Sequence, residues 1–302
     1  MSGEVTGPRS LRAALKRTSG AVFGGSKAVR ALLPRERDDA LALCARDPAA
    51  GVYVAARLQE TDLDRSRGVM LAYVPDGEVE AICWASANFV PVHCDEAAAT
   101  AFAGKLRRQQ GQCSSIFGPS EAVGWMWDSL ESSWRQPLEV RVPQPLLAIE
   151  PDAPLLVGTD PRVRPARMED LDVLVPAAAA MFTEEIGYPP FRDPRGRQHY
   201  RNTVIGLIGR GRSFVIEEGG RIVFKADIGS VGVGACQIQG VWIDPDHRGH
   251  GLAAGAMASV VHLARQIAPL VTLYVNEYNR PALATYRRVG FSQVGTFATI
   301  LF

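Results

Sequence analysis

The run Val241-Trp242-Ile243-Asp244-Pro245-Asp246-His247-Arg248-Gly249-His250-Gly251-Leu252-Ala253 constrains this chain more than any other segment. It reads as an apolar strand, a tight turn at Asp-Pro, a glycine-rich loop and then a helix. Gly249 and Gly251 carry no side chain, so backbone N–H groups there can turn inward and approach a ligand closely. The following helix contributes the positive end of its dipole and its unpaired first N–H groups. Arg248 adds a cation. Together these make a receptor for a pyrophosphate. The loop is neither of the two common nucleotide loops, because no Lys-Ser/Thr pair follows the glycines and there is no G-x-G-x-x-G.

A second signature follows. Val271 to Asn276 is an apolar, β-branched strand. Asn279 then sits at a helix start, with Pro281 in the first turn, where its missing N–H costs little. Ala282, Leu283, Tyr286 and Val289 follow at helical spacing, and Gly290 ends the helix before Phe291. The loop pattern Arg248-x-x-Gly251-x-Ala253 and the frame Asn279-x-x-Ala282-x-x-x-Tyr286-x-x-x-Gly290-Phe291 resemble the acyl-CoA loop and the last helix of the GNAT (general N-acetyltransferase) superfamily.

That resemblance implies a set of roles. The backbone of Val241, Trp242 and Ile243 would pair with the pantetheine arm of acetyl-CoA. Arg248, Gly249, His250, Gly251, Leu252 and Ala253 would hold its pyrophosphate, and Asn279 would contact the cofactor. Tyr286 would lie near the thioester sulfur and protonate the departing thiolate. The chemistry is sound: a thiol titrates near 8.5 and a tyrosine near 10, so the phenol carries the proton at neutral pH and can supply it.

The rest of the C-terminal half fits the same scheme. Arg162 to Leu171 reads as a first strand leading into a helix that runs on through Leu174, Ala178 and Phe182. A basic helix follows from about Gln198 to Ile208. Strands are expected at Ser213 to Glu217, Arg221 to Ile228 and Ala235 to Ile243. The predicted order is β-α-α-β-β-β-α-β-α-β, an α/β fold with a mixed sheet.

The chain has 302 residues, long for one such domain, so two are expected. In the first half, Asp38 to Arg46 reads as a helix and Val52 to Leu58 as an apolar strand. Strands follow at Val69 to Val74, Val79 to Ala85 and Asn88 to His93. Asp95 caps a helix running to Gln109, a strand covers Cys113 to Phe117, and a second helix carries Val123, Met126, Trp127 and Leu130. This is the core order of the second half, and it predicts a tandem GNAT-like architecture with a degenerate first copy. Where the second copy has the glycine loop, the first has Pro91-Val92-His93-Cys94-Asp95-Glu96; an acid pair at a helix start competes with phosphate. The first domain either shapes the acceptor pocket or only completes the fold. The predicted division is a Ser/Gly/Arg-rich, poorly ordered segment over 1–28, with a short amphipathic helix through Leu11 and Leu15 as the alternative. The degenerate domain covers 29–150, a proline-rich linker 151–163 and the complete domain 164–302. As a whole the chain resembles actinobacterial two-domain GNAT proteins with an N-terminal domain of unknown function, through segments such as Met181-Phe182-Thr183-Glu184-Glu185-Ile186-Gly187 and Gln239-Gly240-Val241-Trp242.

Composition narrows the partners. A net charge of +1 gives no preference for nucleic acid or an anionic membrane, and no apolar run reaches the roughly 18 residues of a membrane span. Five scattered cysteines without a C-x-x-C pair predict reduced thiols in a cytoplasmic protein. His247 and His250 are too few for a zinc site, so no metal is expected. Glu184 and Glu185 fall at the end of the first C-terminal helix, which lines the acceptor side in GNAT folds, and are the candidates to take a proton from an amine. Lys225 and Asp227 share one face of a strand, as a structural pair or a pocket wall. Gln237 and Gln239 stand on the strand where many GNAT enzymes carry a glutamate base. The expected activity is direct transfer of an acetyl group from acetyl-CoA to an amine acceptor, small molecule or protein. The alternative is a non-catalytic acyl-CoA-binding protein that regulates a partner.

Overall fold

The computed structural model describes residues 28–66 and 69–302. The N-terminal segment expected to be loosely ordered lies almost wholly outside them. The first half contains β1 (Val29–Ala31), α1 (Arg37–Arg46), α2 (Pro48–Glu60), β2 (Met70–Tyr73), β3 (Ala81–Ala85), β4 (Asn88–Val92), α3 (Glu96–Leu106), β5 (Ser115–Pro119), α4 (Ser120–Leu130) and β6 (Glu139–Ile149). The second half repeats that order as β7 (Arg164–Pro165), α5 (Leu171–Ile186), α6 (Pro194–Gly209), β8 (Ser213–Glu218), β9 (Arg221–Gly232), β10 (Ala235–Ile243), α7 (Leu252–Ala264), β11 (Leu270–Tyr274), α8 (Arg280–Val289) and β12 (Ser292–Leu301). Both halves are therefore built on one β-α-α-β-β-β-α-β-α-β plan.

All the strands join one mixed sheet, in the order β1-β2-β3-β4-β5-β12-β6-β11-β10-β9-β8-β7. The order is nearly a palindrome, except that the two final strands have changed places. β6 leaves the first half to pair with β11, and β12 leaves the second half to pair with β5; the two meet each other at the centre. A boundary drawn along the chain near residue 150 thus does not coincide with a boundary in the sheet. The proline-rich stretch after β6 is also tied down. Leu156 N–H donates to the Val289 carbonyl, Asp160 N–H to that of Gly255, and the Ser259 hydroxyl to that of Asp160.

One element differs in kind from the sequence expectation. Val52 to Leu58 is helical, not extended. Asp47 caps α2 by accepting from Ala50 N–H, Pro48 presets its first turn, and alanines favour its interior. Val52, Val54, Ala55 and Leu58 are all fully buried, so the helix has no polar face and no 3.6-residue stripe to betray it. Gly51 lets α1 and α2 meet closely, since a Cβ there would sit 2.5 Å from the Cys44 carbonyl oxygen. On its other side α2 crosses onto the second half's sheet, where a Cβ on Gly232 would lie 2.9 Å from the Ala55 methyl. Strands β1 and β6 escape the sequence reading altogether; β6 carries Pro143 and Pro145, which argue against a central strand.

Two large apolar clusters hold the sheet's faces. One packs α7 and α8 on β9, β10 and β11, through Met257, Val260, Leu283 and Val289. The other packs α3 and α4 under β3 and β5, with Trp127 and Trp134 in its core, as expected of these aromatics.

Candidate active site

Strands β10 and β11 are parallel neighbours that pair only from Ala235–Gln237 to Leu270–Thr272. Beyond Gln237 they splay, and the β11-facing edge of Val241, Trp242 and Ile243 has no strand partner. A bulge in the β9–β10 ladder between Gln239 and Trp242 redirects this edge. At its centre Gly240 adopts φ +60°, a backbone conformation that a side chain resists. A Cβ there would also meet Lys225 Nζ at 3.0 Å and Met181 Cε at 3.2 Å.

The bulge is propped from inside the protein. Lys225 Nζ donates to the Gly240 carbonyl (2.8 Å) and to Asp227 Oδ2 (2.6 Å). Asp227 Oδ1 accepts in turn from the Ser213 hydroxyl (2.7 Å). Lys225 is 1% exposed, so the pair is structural and does not line a pocket. The alternation of Lys225 and Asp227 hinted at the pair; its target, Gly240, left no sequence signal beyond being a glycine.

The turn after β10 is equally determined. Buried Asp244 accepts from Asp246 N–H and from Arg221 Nη2, and its own N–H donates to Val223. The chain then passes Gly249 (φ +79°) and Gly251 (φ +81°) into α7. Nothing lies within 4 Å of a Cβ at either glycine, so the requirement is backbone conformation and open space, not a tight fit. Gly251 is the N-cap of α7 and offers no side-chain acceptor, which leaves the helix's first N–H groups pointing outward and unpaired. Leu252 and Ala253 open that first turn. His250 is exposed, and His247 sits beside Glu218 and Asp244 at the outer end of the turn. Among the described residues no three His, Cys, Asp or Glu side chains gather as a metal site.

The side chain of Arg248 is less free than its sequence position suggests. Its Nε donates to the Ile243 carbonyl (2.9 Å) and its Nη2 to Glu184 Oε2 (2.7 Å). Glu184 Oε1 accepts from the Trp242 indole at 3.0 Å. The neighbouring Glu185 faces the other wall: its carbonyl accepts from Arg141 Nη2 at 2.8 Å, and its carboxylate lies 3.5 Å from Arg141 Nη1. Arg141 belongs to β6, the strand delivered by the first half. The end of α5 therefore straddles the splayed strands, fastened to β10 through Glu184 and to β6 through Glu185.

Tyr286, on α8, packs into the same apolar cluster as Val241, Ile243, Leu252 and Val275, edge-on to Phe291. It is 7% exposed, and no hydrogen bond to a described residue engages its hydroxyl. Burial, and secondly the negative charge of Glu185, push its pKa well above that of a free phenol. Asn279 is the N-cap of α8, with its side chain accepting from Ala282 N–H at 3.2 Å.

Comparison with known proteins places this geometry. Residues 178–291, which span the splay, the loop and the helix of Tyr286, match the profile of the Acetyltransferase (GNAT) family. The C-terminal half is a GNAT domain. Residues 68–174 match a domain of unknown function, DUF4081. A search of curated proteins found no match. Among solved structures, the chain is similar to a GCN5-related N-acetyltransferase from Sphaerobacter thermophilus (TM-score 0.61, 16% identity, covering 90% of this chain and 94% of that one). It is similar also to a GNAT-family acetyltransferase from Colwellia psychrerythraea (0.54, 12%, 91% and 99%). A tandem GNAT protein from the clavulanic acid biosynthesis pathway aligns over 90% of this chain and 97% of its own length (0.50, 12%). At these identities the likeness is one of fold, and it agrees with the repeated plan of the two halves. The GNAT family and these neighbours place the protein among acyl-transferring proteins in general terms.

Proposed function

We propose that the protein is an N-acyltransferase that binds acetyl-CoA in the C-terminal splay and passes its acyl group directly to an amine. The observation that carries this is the alignment of three features along one cleft: an unpaired strand edge at Val241–Ile243, uncapped N–H groups at Gly251–Ala253, and a buried phenol without a partner at Tyr286. The strand edge would pair with the pantetheine amides. The helix start would hold the pyrophosphate through backbone N–H groups. Arg248 would help only by exchanging its contact with Glu184 for one with phosphate. Asn279 would keep the start of α8 in place beside the cofactor.

In the reaction the amine nitrogen attacks the thioester carbonyl and its C–S bond breaks. The strand-edge N–H groups stabilise the oxyanion that forms, and the Tyr286 proton goes to the departing thiolate. No cysteine is placed for a covalent intermediate: Cys236, the one cysteine of the C-terminal half, is buried on β10 away from the splay. The amine must arrive without its extra proton. Glu185 is the better of the two acids for removing it, directly or through water, because its charge is felt at the Tyr286 hydroxyl and its side chain is 53% exposed. Glu184, held by Trp242 and Arg248, acts as a positioning residue.

The test is Tyr286→Phe with an amine panel as acceptors. Turnover should fall about 100-fold or more, the scale of a lost general acid, while acetyl-CoA affinity changes less than about twofold. Unchanged turnover removes Tyr286 from the chemistry. Tight acetyl-CoA binding with no turnover by the wild type on any amine favours the regulatory reading.

A further inference from the structure

The first half keeps a cleft of its own. β4 and β5 are parallel and pair only at Asn88–Ser115 and Phe89–Ile116, then separate, as β10 and β11 do. Into the resulting gap opens a cavity of about 690 Å³, well within the range of small-molecule sites. Its place corresponds to that of the C-terminal splay, but its chemistry is reversed. Only His93, Cys94 and Asp95 separate β4 from α3, so there is no glycine loop. The α3 N-terminus is closed by Asp95, whose Oδ1 accepts from Ala98 N–H at 2.8 Å.

Five carboxylates line the cavity: Asp47, Glu78, Glu80, Asp95 and Glu121. Asp47 and Asp95 each spend one oxygen on a helix cap; Glu78, Glu80 and Glu121 have no hydrogen bond or ion pair with any described residue. The opposing charge is Arg46 alone. It donates to His93 Nε2 at 2.9 Å, which requires that nitrogen to be unprotonated and His93 neutral. Tyr73 and Trp125 form part of the wall, and Val79, Pro91 and Val92 give it apolar surface. The field is felt on the wall itself: besides partial burial, the charges of Asp95 and Glu80 oppose ionisation of the Tyr73 phenol.

A polyanion such as CoA meets repulsion here from several sides and finds no free helix start. A flexible organic cation meets the reverse: carboxylates spaced around an apolar floor, with aromatic faces that attract ammonium groups. We propose that the N-terminal cleft is a second ligand site, specific for an organic polycation of the polyamine class and closed to CoA.

This rests on the first half alone and stands whether or not the C-terminal cleft transfers acyl groups. The experiment is calorimetric titration of spermidine into the full chain, with magnesium chloride and CoA as separate titrants. The same titrations are run on Glu80→Gln/Glu121→Gln and on Glu185→Gln. Both cleft glutamates are exposed, so the double variant should keep the wild-type melting temperature. Saturable spermidine binding is expected, weakened at least about tenfold in the double variant and within about twofold in Glu185→Gln. Affinity should fall as salt is raised, as screened ion pairing requires. The proposal is overturned by absence of saturable binding or by equal affinity for magnesium. It is overturned equally by binding lost in Glu185→Gln but kept in the double variant, which would put the cation in the C-terminal cleft.

Discussion

Replacing Lys225 with methionine tests how the splay is built. The side chain keeps its length, but the ammonium that bridges Asp227 and the Gly240 carbonyl is gone. Asp227 is then left 8% exposed with only the Ser213 hydroxyl as donor. Stranding one partner of a buried ion pair costs about 3–5 kcal/mol. For a chain of this size that corresponds to a fall of roughly 6–15 °C in melting temperature. The double variant Lys225→Met/Asp227→Leu removes both charges and should recover at least half of that loss, because a buried pair replaced by apolar groups is often near neutral. The Gly240 bulge loses its prop in both variants, so acetyl-CoA affinity should drop in both, including the one whose stability returns. Thermal denaturation and calorimetric titration on the same samples separate the two effects. A single variant that costs less than about 1 kcal/mol would refute the reasoning, as would a double variant that restores cofactor affinity along with stability.

Other consequences follow from the same contacts. Because burial and Glu185 raise the Tyr286 pKa, the phenol keeps its proton throughout ordinary assay conditions; turnover should show no alkaline loss that Tyr286→Phe abolishes between about pH 7 and 9.5. Asp170 accepts from Arg164 at 2.7 and 2.8 Å, and these bonds, with the Arg167 N–H, hold its carboxyl below the usual range. A depressed carboxyl stabilises the fold above its unfolded value of about 3.9 and ceases to as pH falls through the lower folded value. The stability gap between wild type and Asp170→Asn should therefore be full at pH 6 and shrink toward pH 2; a gap that widens in acid would contradict the assignment. Burial pushes the thiols of Cys44, Cys113 and Cys236 up to about 12. A thiol-exchange reagent at pH 8 should label none of these three in the native protein, and all of them in denaturant.

Much of the C-terminal half was legible because its signals are local. The Asn279 cap, Pro281, the stop at Gly290 and the paired glycines of the loop are each read within a few residues of where they act. Long-range pairing left no such trace. The exchange of β6 and β12 depends on partners far apart in the chain, and Pro143 and Pro145 disguise β6 as a loop. Helix α2 was taken for a strand because a helix buried on every side has no periodic polarity. At the site, the sequence marks Glu184 and Glu185 as an acidic pair of similar standing. The fold sends them to opposite walls, one to Arg248 and Trp242 and the other to Arg141. Arg141 had no motif to announce it, since its place at the acceptor side follows from the strand exchange.

The central claim is that the C-terminal splay, and it alone, holds acetyl-CoA. Calorimetric titration of acetyl-CoA into the wild type and into Gly251→Asp tests it directly. At φ +81° an aspartate strains the loop, and its carboxylate occupies the helix start meant for phosphate. The account predicts one site per chain in the wild type and none in the variant. Two sites per chain, or one that survives the substitution, would contradict it.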